Sequence, residues 1–167
     1  MIYHLMDNEF DISHAKKLRM DRGEGHAFGL VHRRLMHNSI VPIVPIALNT
    51  YPPPNQPRPK QCYNLGRSIR DAVENWESDA RVRILGSGGL SHFTIDEELD
   101  CGMLRSVKEH DADALSSIPL EKLNAGNSEI RNWISIASGA EYLNLLGWYI
   151  PRSTIPSLEL GAPWPPR

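Results

Sequence analysis

The chain has 167 residues, a net charge of −2 and 23% charged residues. A chain of this size buries about 70% of its extended-chain surface on folding, enough for one domain with a real core. Without a Lys/Arg-rich block, nothing supplies the electrostatic footprint of a nucleic-acid partner. The longest apolar run, Ile40 to Leu48, is interrupted by Pro42 and Pro45. It falls short of the roughly 20 apolar residues that span a bilayer.

Met1–Phe10 carries His4, Asp7, Asn8 and Glu9, so it does not read as a secretory leader. The two cysteines, Cys62 and Cys101, have no CxxC or CxH partner. They read as reduced thiols of a cytoplasmic protein and not as metal ligands. Phe10-Asp11-Ile12-Ser13 is expected to lead into a short helix through Leu18. Asp21 to Gly25 is read as a turn. Phe28, Val31 and Leu35 recur at helical spacing, which predicts a helix over 26–37.

Ile40 to Leu48 is rich in β-branched residues and is expected to form a buried strand, near an edge or at bulges because of its prolines. Five prolines between Asn49 and Pro59 make a stiff loop. A helix follows, with Cys62, Leu65, Ile69, Ala72, Val73 and Trp76 on one face. Arg81 to Leu85 alternates as a second strand. Residues 95–117 predict one or two helices with a break near Asp111, and Pro119 to Gly126 a connector. A long helix is expected from Glu129 to Leu146, capped by Asn127 or Ser128. Its buried face would draw on Ile130, Trp133, Ile134, Ala137, Ala140 and Tyr142. Residues 151–167 are a Pro-rich tail.

Strands alternating with amphipathic helices predict a single α/β domain over 1–167, with a central, mostly buried sheet flanked by helices. Two or three strands are few for this length, so the sheet is expected to be an incomplete one.

The chemistry-bearing segment is Gly86-Ser87-Gly88-Gly89-Leu90-Ser91-His92. A glycine-rich loop after a strand is where α/β proteins place reactive groups. Glycines let a ligand approach the backbone, and an imidazole titrates near neutral pH. Two blander readings stand beside this one. The loop resembles a phosphate cradle only partly, since the dinucleotide pattern needs Gly where Ser91 stands and Gly-Lys-Ser/Thr is absent. His92 is also readable as a hydrogen-bonded turn residue.

Three ordered segments tip the balance: Asn49-Thr50-Tyr51-Pro52-Pro53-Pro54, then Cys62-Tyr63 with Leu65-Gly66 and Ile69-Arg70, then Gly86 to His92. Together they resemble the catalytic subunit of class III extradiol ring-cleaving dioxygenases, the protocatechuate 4,5-dioxygenase and gallate dioxygenase type. Asn127-Ser128-Glu129-Ile130-Arg131-Asn132-Trp133 extends the likeness, which covers roughly residues 21–148. The resemblance implies that His92 is the acid/base acting on a catechol, with Gly89 and Ser91 beside it in the substrate pocket. It implies that Glu129 is the carboxylate ligand of an Fe(II) cofactor. His26, in Gly25-His26-Ala27, resembles the family's Asp-His-Gly segment and would line the same pocket. Glu129 also reads as an ordinary helix N-terminal glutamate, and His26 as a helix-cap or core histidine.

A facial triad of two histidines and one carboxylate leaves positions open on Fe(II) for a diol and for O2. The family's two iron-binding histidines precede the His26 segment, and nothing around His4 or His14 looks like them. His32, His37 and His110 read as solvated. The expected partners are therefore a small aromatic diol, O2, and either a homo-oligomer or a second polypeptide with the N-terminal half. The alternative is a non-catalytic binding or assembly module derived from that family. Arg67, Arg70 and Arg131 are candidates for pairing with a substrate carboxylate.

Overall fold

The computed structural model describes residues 1–17, 21, 23–37, 39 and 41–147. Residues 18–20, 40 and the Pro-rich tail lie outside the described residues, and with them the end of the helix expected through Leu18. The order of elements is α1 (Ile2–Asp7), α2 (His26–Leu30) running into a π turn (Val31–Leu35), α3 (Pro59–Glu74), α4 (Glu97–Glu109), α5 (Ala112–Ser116) and α6 (Ile130–Gly139). Short 3-10 turns at Leu120–Lys122 and Ala125–Glu129 join α5 to α6.

The core is helical. Cys62 and Tyr63 of α3 meet Leu99, Met103 and Val107 of α4, Leu115 of α5, and Ile130, Trp133, Ile134 and Ala137 of α6. Leu90 and Leu123 complete it from the loops. Helix α3 starts with Pro59 at its first position, where the missing N–H costs nothing. The carboxamide of Gln61 accepts from the N–H of Arg58 at 2.8 Å.

Helices α3 and α6 cross at Gly66 and Gly139. A Cβ on Gly66 would lie 1.9 Å from the carbonyl oxygen of Ser135 and 2.0 Å from Oγ of Ser138. Only a residue without a side chain allows this approach. In return, the Ser138 hydroxyl, fully buried, donates to the carbonyl of Tyr63 at 2.7 Å.

Helix α4 is capped by Asp96, whose carboxylate accepts from the N–H of Leu99, and α5 by Asp111, which accepts from Ala114. His110 takes the left-handed conformation that ends α4 (φ 54°). The break near Asp111 and the helix over 26–35 follow the sequence pattern.

Four expectations need correction. The central sheet is absent: no strand forms among the described residues, and both predicted strands are extended segments without ladder partners. Val41, Ile43, Val44 and Leu85 are exposed there. Strand formation is non-local, and a β-branched run becomes a strand only when another segment accepts its hydrogen bonds. Secondly, the first helix is Ile2–Asp7, ahead of the Phe10–Ser13 segment where the polar pattern suggested a start. Thirdly, α6 stops at Gly139, so Tyr142 is 44% exposed and outside the helix. Fourthly, neither Asn127 nor Ser128 caps α6. The helix begins after Glu129 without a side-chain cap, and the buried Ser128 hydroxyl has no hydrogen-bond partner among the described residues.

Candidate functional site: the glycine loop gripped by helix α6

Residues 86–92 have no regular structure of their own, so contacts with helices must hold them. Leu90 is 1% exposed and anchors the loop in the core. Burying a leucine is worth about 1.5–3 kcal/mol.

On one side of Leu90, the first residues of α6 hold the glycines. Asn132 Nδ2 donates to the carbonyl of Ser87 at 2.8 Å. Trp133 Nε1 donates to the carbonyl of Gly88 at 2.9 Å. The N–H of Gly89 donates to Oε2 of Glu129 at 2.7 Å, a charge-assisted bond. Gly88 has φ +152°, and a Cβ there would lie 3.1 Å from both Asn132 Nδ2 and Glu129 Cβ. Any side chain at 88 would be strained and would push against α6.

Beyond Leu90, Ser91 is 5% exposed, and its N–H and hydroxyl are both engaged. Its N–H donates to Oδ1 of Asp100 at 2.9 Å and its hydroxyl to Oδ2 at 2.6 Å. The Ser91 hydroxyl oxygen in turn accepts from the N–H of Asp96 at 2.8 Å. This clip ties the loop to the start of α4.

His92 follows on the surface as an exposed residue. Its Nδ1 lies 2.9 Å from the carbonyl of Leu90. With that carbonyl as the partner, Nδ1 carries the proton and Nε2 is the basic nitrogen. The imidazole lies between two glycines. A Cβ on Gly89 would be 3.0 Å from Nδ1, and one on Gly126 would be 3.0 Å from Nε2. Phe93 packs edge-on against the ring, with centroids 4.9 Å apart.

The structure therefore brings Gly89, Ser91, His92 and Glu129 together around one turn. His26 is exposed at the start of α2. It is tied to the turn through its neighbour, because the Ser87 hydroxyl donates to the carbonyl of Ala27 at 3.1 Å. His32 pairs with Glu24 at 2.7 Å and is half-buried, so it is not simply solvated. His37 and His110 are exposed.

Sequence reasoning missed Asp100, Asn132 and Gly126. Asn132 stands inside the quoted Asn127–Trp133 segment and could have been tested as a loop partner. Nothing in the sequence marks Asp100, nine residues beyond Ser91.

The arginines divide clearly. Arg67 is exposed. Arg70 is bound to Glu141 at 2.7 Å and to Asp71 at 3.5 Å. Tyr63 also donates to Glu141, at 2.5 Å. Burial, then the hydrogen bond and charge of Glu141, push the Tyr63 hydroxyl up to about 12. Burial alone would raise the Glu141 carboxyl, but hydrogen bonds from Arg70 and Tyr63 outweigh it and hold the group below its ordinary value. Arg131 is buried, and desolvation lowers its pKa.

Among the described residues no three His, Cys, Asp or Glu side chains form a group able to hold a metal ion. Glu129 alone does not make an iron site, so the described residues by themselves do not fit that cofactor. No helix of the described residues is long and apolar enough to cross a membrane.

Comparison with known proteins agrees with the sequence likeness. The family described as the catalytic LigB subunit of aromatic ring-opening dioxygenase matches residues 1–159, and the chain belongs to it. Gallate dioxygenase of Pseudomonas putida is 28% identical over 153 residues, covering 90% of this chain and 42% of that protein. A 2,3-dihydroxyphenylpropionate/2,3-dihydroxicinnamic acid 1,2-dioxygenase of Comamonas testosteroni is 32% identical over 89 residues, 53% of this chain and 26% of its own length. Its namesake from Photorhabdus laumondii is 32% identical over 92 residues, covering 55% and 27%. The chain thus spans less than half the length of these curated relatives. No solved structure matches it significantly.

Proposed function

We propose that the chain is the acid/base-bearing part of an Fe(II)-dependent extradiol dioxygenase that opens catecholic aromatic acids of the protocatechuate or gallate kind with O2. The observation that carries this reading is the shared turn. Glu129 and His92, two residues of different motifs, meet on Gly89. In the proposal, Glu129 supplies a carboxylate ligand to iron in the complete protein. Its Oε1 is not used in the bond to Gly89, which supports that role. Further ligands come from outside the described residues, in a second polypeptide or another part of the whole protein. Iron, when bound, would supply the site at which diol and O2 are held.

The chain's own part is proton handling. Nε2 of His92, with Nδ1 engaged at Leu90, accepts a hydroxyl proton from the diol and returns it later. A positioned acid/base group contributes about 10²–10⁴-fold. Gly89 lets the ring of the diol approach the backbone. Ser91, whose hydroxyl is committed to Asp100, acts by fixing the backbone that carries His92. His26 lines the pocket from the α2 side.

The test is complementation. The chain is produced together with the portion of a gallate dioxygenase that it does not cover, supplied with Fe(II) and given protocatechuate or gallate. A yellow ring-fission product is expected, and His92→Ala should lower the rate by at least about 100-fold. If the complemented protein binds iron and turns over, yet His92→Ala has no effect, the role given to His92 is wrong. If complementation gives iron binding without turnover, the chain is a binding or assembly module.

A further inference from the structure

The loop from Thr50 to Arg58 closes against α6 and leaves a crevice of about 170 Å³, lined by Pro54, Gln56, Arg58, Leu120, Asn124 and Arg131. Arg131 is 2% exposed. Its Nε donates to the carbonyl of Pro57 at 2.8 Å. Its Nη1 donates to the carbonyls of Leu123 at 2.9 Å, Ser128 at 3.3 Å and Thr50 at 3.5 Å. Every one of these acceptors is a neutral carbonyl.

The ion pairs among the described residues leave Arg131 and Arg58 out, while Arg70 has two carboxylates. A guanidinium removed from water and given no countercharge is costly, and carbonyl dipoles offset only part of that cost. Arg58, exposed at the start of α3, brings a second cation to the same crevice, and no carboxylate lines it. The amides do not supply the missing charge. Gln56 donates to the carbonyls of Thr50 and Tyr51, and Asn124 to that of Glu121, so both are spent on holding the walls. Pro54 and Leu120 make part of the wall apolar. Glu129 stands just before α6 and is not among the residues that line the crevice. The crevice shares no lining residue with the glycine turn.

We propose that this crevice binds the carboxylate of a small organic acid, with Arg58 and Arg131 as its cationic contacts and Pro54 and Leu120 against its hydrocarbon part. Guanidinium forks match carboxylate geometry, and the apolar wall favours an organic acid over an inorganic oxyanion. The inference stands independently of ring cleavage.

Titration calorimetry of the chain with benzoate, and in parallel with inorganic phosphate, tests it. Saturable benzoate binding is expected, weakened by about tenfold or more in Arg58→Ala, with phosphate binding more weakly. Arg58 is exposed, so this variant should keep the wild-type melting temperature. Arg131→Lys, which keeps the charge but loses the fork, should also weaken benzoate binding where its circular dichroism spectrum stays native. Absence of saturable benzoate binding by the wild type overturns the proposal, as does binding unchanged in Arg58→Ala. Phosphate binding as tight as benzoate overturns the assignment to an organic acid.

Discussion

Gly66→Ala tests whether the crossing of α3 and α6 is what keeps the glycine turn in place. The new Cβ would sit 1.9 Å from the Ser135 carbonyl oxygen, 2.0 Å from Ser138 Oγ and 2.9 Å from the Gly139 N–H, where ordinary contact begins at 3.4 Å. Ser138 can rotate away, but only by giving up its bond to Tyr63. The carbonyl and amide are backbone inside α6 and cannot yield alone, so the helices must part by more than 1 Å. Overpacking costs about 1–3 kcal/mol, and the lost hydrogen bond adds about 1 kcal/mol. A total of about 2–4 kcal/mol lowers the melting temperature by about 4–16 °C for a chain of this size. Differential scanning calorimetry measures this directly. Because α6 carries Asn132 and Trp133 and follows directly on Glu129, the Gly89 amide should also exchange its hydrogen faster in the variant. A melting temperature within 2 °C of the wild type would refute the reasoning, since it would mean that the helices are not in contact at this point.

Trp133→Phe removes the donor to Gly88 and should cost about 1 kcal/mol, with faster exchange at Gly89 seen by hydrogen-exchange NMR. Glu141→Gln should bring the Tyr63 titration down from about 12 towards its ordinary 10, followed by tyrosinate absorbance. The same variant should change the acid limb of stability. The folded pKa of Glu141 lies below its unfolded value, so its contribution is present above the unfolded pKa of about 4.3 and fades as pH falls through the folded one. Wild type should therefore lose more stability than Glu141→Gln as pH falls below about 5, which urea titrations across that range would detect. Burial pushes the Cys62 thiol up to about 12, and Cys101 is exposed. A thiol reagent at neutral pH should label one cysteine of the folded chain quickly and the second only after unfolding.

The sequence was most informative where structure is local. The period through Cys62 and Leu65 defines the buried side of α3 because a helix satisfies its own backbone and asks only for one apolar face. The same face fades at Trp76, which is 54% exposed and lies past the end of the helix at Glu74. Val41 to Leu48 shows the opposite case. Its β-branched residues and apolar character suit a strand, but whether a strand forms depends on a partner that the segment itself does not encode. Hydropathy gave the preference, and no segment among the described residues pairs with it.

The site divides along the same line. Glu129, Asn132 and Trp133 are three and four residues apart, so one end of α6 presents them together and a single segment of sequence displays them. His92 and the glycines were visible as a loop motif. What ties the two segments together was not visible, because it is made of backbone groups: the N–H of Gly89 and the carbonyls of Ser87 and Gly88. A backbone group has no identity in the sequence, so only a helix with donors and an acceptor at matching heights could reveal it. Ser91 makes the point most sharply. Motif reasoning sets its hydroxyl beside a substrate, while three hydrogen bonds commit it to Asp100 and Asp96. A serine so engaged controls where the next residue stands, and the next residue is His92.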